Sequence, residues 1–371
     1  MLQAELVREG ARQMTICNAC RYCEGYCAVF PAMERRLDFA AGDMSYLANL
    51  CHNCGECLYA CQYAPPHEFG VDIPRLMART RVESYRAYAW PSALAGAYRD
   101  NGLKVALALV VSLVAVLLLA VAILGRGPLL TAVPGGNFYA VVPHGVMAWS
   151  FGLVGLFVLA AFGIGFARFW RDVGESLGAL VQPGPLLAGL HDAISLRNLH
   201  AGGADCVNGE EERKPLRRWF HHLTFYGFML CFAATVTATI YHYGFGWVAP
   251  YGYTSLPVIL GTVGGIGLTV GPIGLYAVGR RRDAALGDPE QRGMDVGLIA
   301  LLLLTSVTGL ALLAFRETAA MGLLLVIHLG TVLALFVAMP YGKFVHGLYR
   351  TAALVKWALE RRRPAATAGM E

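Results

Sequence analysis

Eight of the ten cysteines in this chain stand in two copies of one spacing. The two runs are Cys17-x2-Cys20-x2-Cys23-x3-Cys27 and Cys51-x2-Cys54-x2-Cys57-x3-Cys61. The first three thiolates of such a run can hold three corners of one iron–sulfur cube, and the cysteine after x3 reaches the neighbouring cluster. The spacing therefore predicts two [4Fe–4S] clusters, whose chemistry is the transfer of single electrons.

The fourth cysteine of each run decides which thiolates share a cluster. Because it reaches the neighbouring cluster, the expected ligand sets are interlaced. They are Cys17, Cys20, Cys23 and Cys61 for one cluster, and Cys51, Cys54, Cys57 and Cys27 for the other. Zinc matches less well, since its sites use two pairs of ligands rather than triplets. Disulfides would conflict with the reducing compartment that the lack of a secretory signal indicates.

Four of the histidines that lie in or beside apolar stretches are candidate ligands, because an ionisable side chain there indicates function. His328 lies within the last stretch and His346 follows 18 residues later. On one straight helix both rings would project from the same face, separated by about 27 Å along the helix axis. His221 and His242 lie at the two ends of an earlier, antiparallel stretch. Pairing His221 with His346 and His242 with His328 would provide bis-histidine ligands for one or two b-type haems.

Composition predicts how these residues are positioned. Of the 371 residues, 56% are hydrophobic and 15% charged, whereas a soluble domain carries about 25% charged residues. Six apolar stretches are long enough to cross a hydrocarbon layer of about 30 Å. They are Val105–Gly125, Val146–Arg168, Leu223–Tyr243, Leu256–Val278, Val296–Phe315 and Ala320–Pro340.

The predicted fold class is therefore all-α. Residues 1–100 are expected to form a two-cluster, ferredoxin-like helical cap, residues 101–350 a six-helix transmembrane bundle, and residues 351–371 a basic tail. The segment Arg75–Asn101, with its mixture of arginines and aromatic residues, suits either a helix on the lipid headgroups or a solvated linker.

Lysines and arginines predict the orientation in the membrane. With a cytoplasmic N-terminus, only Arg126 and Arg316 of the 30 basic residues would lie on the outer side. Cytoplasmic loops carry the excess of basic residues in membrane proteins. We therefore expect a multi-pass protein of the inner membrane with both termini in the cytoplasm.

Two resemblances extend this interpretation. The segment from His328 through Pro340-Tyr341-Gly342-Lys343-Phe344-Val345-His346 resembles the last haem-bearing helix of the respiratory nitrate reductase gamma-subunit family. His221 resembles the first ligand on the other haem-bearing helix of that family. That family places the next ligand ten residues on, where this chain has Cys231. Either His242 substitutes or one haem is held, and His222 or His144 are alternative ligands.

The whole chain more closely resembles the tricarballylate (citrate) utilization protein B family. The segments that carry this resemblance are Cys20–Cys27, Cys51–Cys57, Cys61–Phe69 and Met339–His346. The resemblance implies a membrane partner of an FAD-dependent tricarballylate dehydrogenase. This partner would reoxidise the flavin of the dehydrogenase, so that tricarballylate can be converted to cis-aconitate.

The expected function is an electron-transfer subunit of a flavoprotein:quinone oxidoreductase. Electrons would pass from the cytoplasmic dehydrogenase through the clusters and haem b to quinone in the bilayer, with Lys343, His222 or Arg218 as polar donors to the quinone. The sequence shows no catalytic acid–base set and no nucleic-acid partner is expected. A membrane arm of a heterodisulfide-reductase-like or other respiratory complex is the alternative, and a redox-sensing tricarboxylate transporter is a third class.

Overall fold

The structure is a computed structural model that describes residues 2–125, 127–199, 216–281, 283 and 286–363. Helices and turns, without any strand, make up this part of the chain. Six of its helices are long and apolar enough to cross a membrane. The predicted all-α class with six spans is confirmed, and the predicted outer residue Arg126 lies outside the described residues.

The cap contains five helices before the first span. They are α1 (Ala4–Cys20), α2 (Val29–Met33), α3 (Ala41–Leu50), α4 (Glu56–Tyr59) and α5 (Ile73–Tyr88). Helix α3 begins where the Asp43 side chain accepts a hydrogen bond from the Ala40 N–H at 3.2 Å. Helix α5 begins at Asp72, whose side chain accepts from the Arg75 N–H at 3.1 Å, so side chains satisfy backbone donors that have no partner within the helix.

The segment Arg75–Asn101 was interpreted from the sequence as either a helix on the lipid headgroups or a solvated linker, and α5, which covers its first half, is neither. Its residues Met77, Val82 and Tyr85 are buried in the cap core, and Arg81 is only 2% exposed. The Arg81 guanidinium donates to the Cys51 carbonyl at 2.7 Å. The helix is therefore an internal support of the second cysteine run.

Among the described residues, the membrane part contains the six spans and three further α-helices. The spans are α6 (Asn101–Leu124), α8 (His144–Asp172), α10 (Leu216–Phe245), α11 (Leu256–Arg281), α12 (Pro289–Ala314) and α13 (Met321–Ala338). The others are α7 (Gly127–Leu130), α9 (Pro183–Ile194) and α14 (His346–Glu360). Helix α13 packs on α6 and α12, and α12 also packs on α11, which packs closely on α10.

Glycines allow α10 and α11 to touch through their backbones. A Cβ added to Gly264 would lie 2.8 Å from both the Cys231 nitrogen and the Gly227 oxygen, and one added to Gly271 would lie 2.6 Å from the Thr224 nitrogen. Small residues permit such close approach between membrane helices. The glycines of α11 therefore serve helix packing.

Gly264→Ala is expected to lower the thermal unfolding temperature of the purified protein. The new methyl group would push two backbones apart, and overpacking of this kind costs about 1–3 kcal/mol. Gly261→Ala is the matched control on the same helix, because its Cβ would meet only the Ala234 Cβ at 3.7 Å. If both variants unfold at the wild-type temperature, the close packing of α10 on α11 is refuted.

The straight final helix predicted from His328 to His346 is wrong. Helix α13 ends at Ala338, and two 3-10 turns, Met339–Tyr341 and Lys343–Val345, precede α14. Pro340 cannot donate to the preceding turn, and Gly342 between the turns is extended, with φ −141° and ψ −165°. His328 and His346 therefore lie on two separate helices.

Helix α14 also corrects the predicted tail. Its residues Ala353, Leu354, Val355 and Leu359 are buried in the same core as the cap helices. The tail predicted from residue 351 is thus wrong as far as Glu360, because this apolar face is covered by α9 and α3. Residues 364–371 lie outside the described part.

A buried ionic network joins α14 to the cap and to the loop after α8. Lys356 Nζ lies 3.2 Å from Glu175 Oε1 and 3.3 Å from Glu360 Oε1. Arg363 binds both oxygens of Glu175, at 2.9 and 2.8 Å, and Arg36 pairs with Glu360. Burial opposes ionisation of Glu175, but Arg363 and Lys356 outweigh it and lower the pKa of this carboxyl.

Lys356→Met should lower the unfolding temperature strongly, because breaking a buried ion pair costs about 3–5 kcal/mol. Arg8→Met, at an exposed arginine, is the control and should unfold as the wild type does. Since the pKa of folded Glu175 is depressed, its contribution is complete above the ordinary value of 4.5 and is lost as the pH falls through the lowered pKa. Equal acid sensitivity of wild type and Lys356→Met would contradict this role.

Candidate iron–sulfur and haem sites

The first cysteine run is built on the end of α1. Cys17 and Cys20 lie in its last turn, and Arg21 ends the helix in the left-handed region, with φ 54°. The Arg21 N–H donates to the Cys17 carbonyl at 2.8 Å. This cap turns the chain back so that Cys23 and Cys27 follow in a compact loop before α2.

The second run is held between the cap and the membrane part. Cys51 ends α3, and Gly55, with φ 97°, begins α4, which carries Cys57. A Cβ at Gly55 would lie 2.7 Å from Leu286 Cδ1, and Asn53 Nδ2 donates to the Leu286 carbonyl at 3.0 Å. The loop between α11 and α12 thus packs directly on the second cysteine run.

The thiols of the first expected ligand set lie around one cavity, while the interlaced assignment itself stays a prediction. Cys17, Cys20, Cys23 and Cys61 line one cavity of 290 Å³, and Cys57 of the second set lines it as well. Burial, followed by the charges of Cys61, Cys23 and Cys20, raises the pKa of the Cys17 thiol to about 12. Thiols so placed lose their protons only when a metal takes them as thiolate ligands.

The second set gathers around Cys27. Burial, with the neighbouring charges of Cys54 and Cys51, raises the pKa of the Cys27 thiol. The same causes raise the pKa of Cys57, whose charge neighbours include Cys51, Cys27 and Cys54. Cys27 therefore lies beside thiols of the second run, as the interlaced prediction requires.

The spread of the thiols fits a cluster better than a single ion. Four thiolates on one zinc ion lie about 2.3 Å from it and crowd together. Within the described residues, no three His, Cys, Asp or Glu side chains are close enough to hold one metal ion, and no disulfide joins the described cysteines. Thiols that line a cavity of this size suit a larger inorganic core.

Histidines 221 and 346 form the second feature of the site. Their ring centres are 6.1 Å apart, with the ring planes at 80°. Two metal–nitrogen bonds of about 2 Å, each with about 1 Å more to the ring centre, would place two imidazole centres about 6 Å apart across one iron. The pair predicted from the sequence is therefore at the separation that bis-histidine ligation requires.

Hydrogen bonding orients one of these two rings, that of His346. The Nδ1 of His346 lies 2.6 Å from the Lys343 carbonyl, so this nitrogen donates and Nε2 is left for a metal. Burial and the charges of Arg350 and Lys343 lower the pKa of His346, which keeps the imidazole neutral, as ligation demands. The Nδ1 of His221 is buried without a hydrogen-bond partner in the described part of the chain.

The other predicted pair is not brought together in the same way. His242 stacks on His144, with ring centres 3.9 Å apart and planes at 17°, which leaves no room for an iron between them. His328 lies 3.1 Å from the Thr308 hydroxyl through its Nδ1, and a Cβ on Gly309 would reach within 2.9 Å of its ring. Ligation of a second haem by His242 and His328 stays a prediction.

Two arginines that sequence reasoning missed connect the histidine pair to the second cysteine run. Arg350, one turn after His346, donates to the Cys51 carbonyl at 2.8 Å. Arg217, one turn before His221, donates to the carbonyls of His52 and Asn53, both at 3.3 Å. Their spacing of four residues from each histidine was the available signal, because such residues share a helix face.

The polar residues proposed to face quinone lie on the same side of the membrane part. Lys343 pairs with Asp295 at 2.7 Å, and Arg218 donates to the Ser195 carbonyl at 2.8 Å. The Nε2 of His222 is buried and lacks a hydrogen-bond partner among the residues described. The Lys343–Asp295 pair fixes the turn that carries the carbonyl bonded to His346.

Comparison with known proteins covers both parts of the chain. Residues 10–87 match the family described as citrate utilization protein B Fer4-like domain, and residues 100–367 match the family described as citrate utilization protein B. The chain is 53% identical over 356 residues to the citrate utilization protein B of Escherichia coli, which covers 96% of this chain and 93% of that protein. No solved structure matches the chain significantly. The chain belongs to the citrate utilization protein B family.

Proposed function

We propose that this protein carries electrons from a cytoplasmic FAD-dependent dehydrogenase, of the tricarballylate type, to the quinone pool. The observation that carries the proposal is the contact between its two candidate sites. Arg350 bonds to the Cys51 carbonyl from a helix that begins at His346. A route for electrons requires such proximity, since the protein sets the distance between redox groups.

The eight cysteines of the two runs would hold two [4Fe–4S] clusters, in the interlaced arrangement given above. His221 and His346 would hold one b-type haem. When bound, these groups supply one-electron chemistry, and the protein supplies ligands, burial and spacing. The two electrons and two protons released when tricarballylate becomes cis-aconitate would balance the reduction of one quinone to quinol.

The proposed location is the inner membrane, with the cap and both termini in the cytoplasm. Basic residues of the described returns lie on the cap side, among them Arg217 and Arg280. Arg316, at the other side, donates to the Tyr251 carbonyl at 2.7 Å and lies 3.8 Å from the Tyr253 ring centre. The cap, residues 1–100, would meet the dehydrogenase, and the bundle, residues 101–350, would meet lipid and quinone.

A coupled assay tests this function. Proteoliposomes containing the protein are mixed with purified tricarballylate dehydrogenase, tricarballylate and decylubiquinone. Quinone reduction should depend on both proteins and should fall to the background rate for Cys54→Ser, whose thiol belongs to the second set. Equal quinone reduction without the membrane protein would contradict the proposal.

His328→Ala should stop quinone reduction in the same assay, because His328, half-buried in the last span, is a predicted haem ligand on the proposed route. The clusters should still be reduced by the dehydrogenase, which electron paramagnetic resonance would detect. Gly261→Ala, on a neighbouring span, is the control and should retain the wild-type rate. Full quinone reduction by His328→Ala would refute a role for this histidine.

A further inference from the structure

We propose that the cavity between α9 and α14 binds the headgroup phosphate of an anionic phospholipid. The cavity has a volume of 400 Å³ and is separate from both candidate metal sites. Its lining residues are Ala188, His191, Asp192, Arg197, Ala358, Arg361 and Arg362. This site does not depend on the proposed electron transfer.

The charges of the cavity favour an anion. Three arginines face one aspartate, which leaves two positive charges before His191 is counted. Asp192 is 4% exposed and lies 3.5 Å from Arg197 and 3.6 Å from Arg361. One buried carboxylate thus orients two guanidinium groups without neutralising the cluster. Guanidinium groups bind phosphate oxygens through paired hydrogen bonds.

The position of α9 places this cavity at the edge of the membrane. Tyr226 donates from its hydroxyl to the Ile194 carbonyl at 3.4 Å, and Arg218 bonds to the next carbonyl, that of Ser195. Tyr226 and Arg218 both lie in the first three turns of α10. The more distant of them, Tyr226, is about 15 Å along the helix axis from the first residue of α10. The end of α9 therefore lies at the level where the third span enters the bilayer.

The exposed face of α9 is mostly apolar, and His191, which lines the cavity, lies on it between Leu187 and Ile194. Leu187 and Ile194, two turns apart, are 65% and 44% exposed. On the opposite face, Gly189 packs against Val355, since a Cβ there would lie 2.6 Å from the Val355 Cα. A helix with one apolar face at this depth lies in the interface with that face in the acyl chains.

These two features together select a lipid. A free phosphate or an acidic protein segment would satisfy the arginines and leave Leu187 and Ile194 in contact with water. A phospholipid places its phosphate in the cavity and its acyl chains along the apolar face. The cytoplasmic leaflet provides anionic lipids, and each nearby arginine contributes to their attraction.

Lipid binding can be measured directly on the intact protein. The purified protein in uncharged detergent is titrated with dioleoylphosphatidylglycerol or dioleoylphosphatidylcholine, and bound lipid is counted by native mass spectrometry. Phosphatidylglycerol should bind preferentially. The double variant Arg361→Gln/Arg362→Gln should bind it about 30-fold more weakly, while the charge-matched control Arg280→Gln/Arg281→Gln should bind as the wild type does.

Further arms separate the sources of the anion and protect against misfolding. Arg197→Gln changes a side chain that is mostly exposed. This variant should weaken phosphatidylglycerol binding and leave the folding of the protein unchanged. Glycerol 3-phosphate, the soluble headgroup, should not compete at equal concentration. Wild-type binding by both cavity variants, equal binding of phosphatidylcholine, or full competition by glycerol 3-phosphate would each overturn the proposal.

Discussion

Replacing Cys61 with serine is expected to remove the cluster of the first cysteine run, although Cys61 belongs to the second run. Cys61 lines the cavity of Cys17, Cys20 and Cys23. A cubane core that loses one thiolate is destabilised, so bound cluster iron should fall from about eight to about four atoms. Iron analysis of anaerobically purified protein, together with electron paramagnetic resonance, measures this loss.

Double variants separate the interlaced arrangement from a sequential one. Under the interlaced arrangement, Cys61→Ser/Cys20→Ser damages one cluster twice and retains about four iron atoms. Cys61→Ser/Cys54→Ser damages both clusters and retains almost none. The sequential arrangement, in which each run holds its own cluster, exchanges these two results. The same logic applies to Cys27, which lies with Cys54 and Cys51.

Replacing His346 with alanine is expected to abolish the b-type haem absorbance and leave the iron–sulfur clusters in place. The ring of His346 is held by the Lys343 carbonyl at 2.6 Å, with its centre 6.1 Å from that of His221. Removing either imidazole leaves an iron with one axial ligand. A pyridine haemochrome assay and the iron–sulfur spectrum of the same sample measure the two groups separately.

His222→Ala is the matched control for this second prediction. His222 adjoins His221 in sequence, but its ring contacts Trp219 and Tyr226 rather than His346. It should keep the wild-type haem content, whereas His221→Ala should lose haem as His346→Ala does. Loss of haem in His222→Ala alone would instead assign ligation to His222, an alternative that the sequence left open.

Local spacing predicted much of this site because the chemistry is local in sequence. The cysteine runs place three thiols within seven residues, and the interlaced fourth thiol follows from that geometry. The six spans could also be predicted from the sequence, because a stretch of about twenty apolar residues has the length that a helix needs to cross the hydrocarbon layer. The common level of His221 and His346 was also predicted, because antiparallel spans align the ends that carry them.

Other features depended on contacts that no local pattern encodes. Pro340 and Gly342 break the last helix, which a count of helical turns from His328 to His346 ignored. Arg81 looked like a surface residue, but its guanidinium is buried against the Cys51 carbonyl. The same holds for α14, where apolar residues are mixed with charges whose partners include the distant Glu175.

The arginines show why the two parts of the chain form one unit. Arg350 comes from the helix after the last span, Arg217 from the third span and Arg81 from the cap, and each bonds to a carbonyl of residues 51–53. A hydrogen bond from a charged group contributes about 1.5–3 kcal/mol. Three such bonds fix the second cysteine run over the histidine pair.

The central claim is that one chain holds iron–sulfur clusters in its cap and haem b in its bundle. A reduced-minus-oxidised spectrum of the anaerobically purified protein, with total iron and pyridine haemochrome measured on the same sample, tests it most directly. We predict a b-type α-band together with about eight iron atoms in clusters and one or two in haem. A sample without a b-type signal would contradict the haem site, and one without iron would contradict the account as a whole.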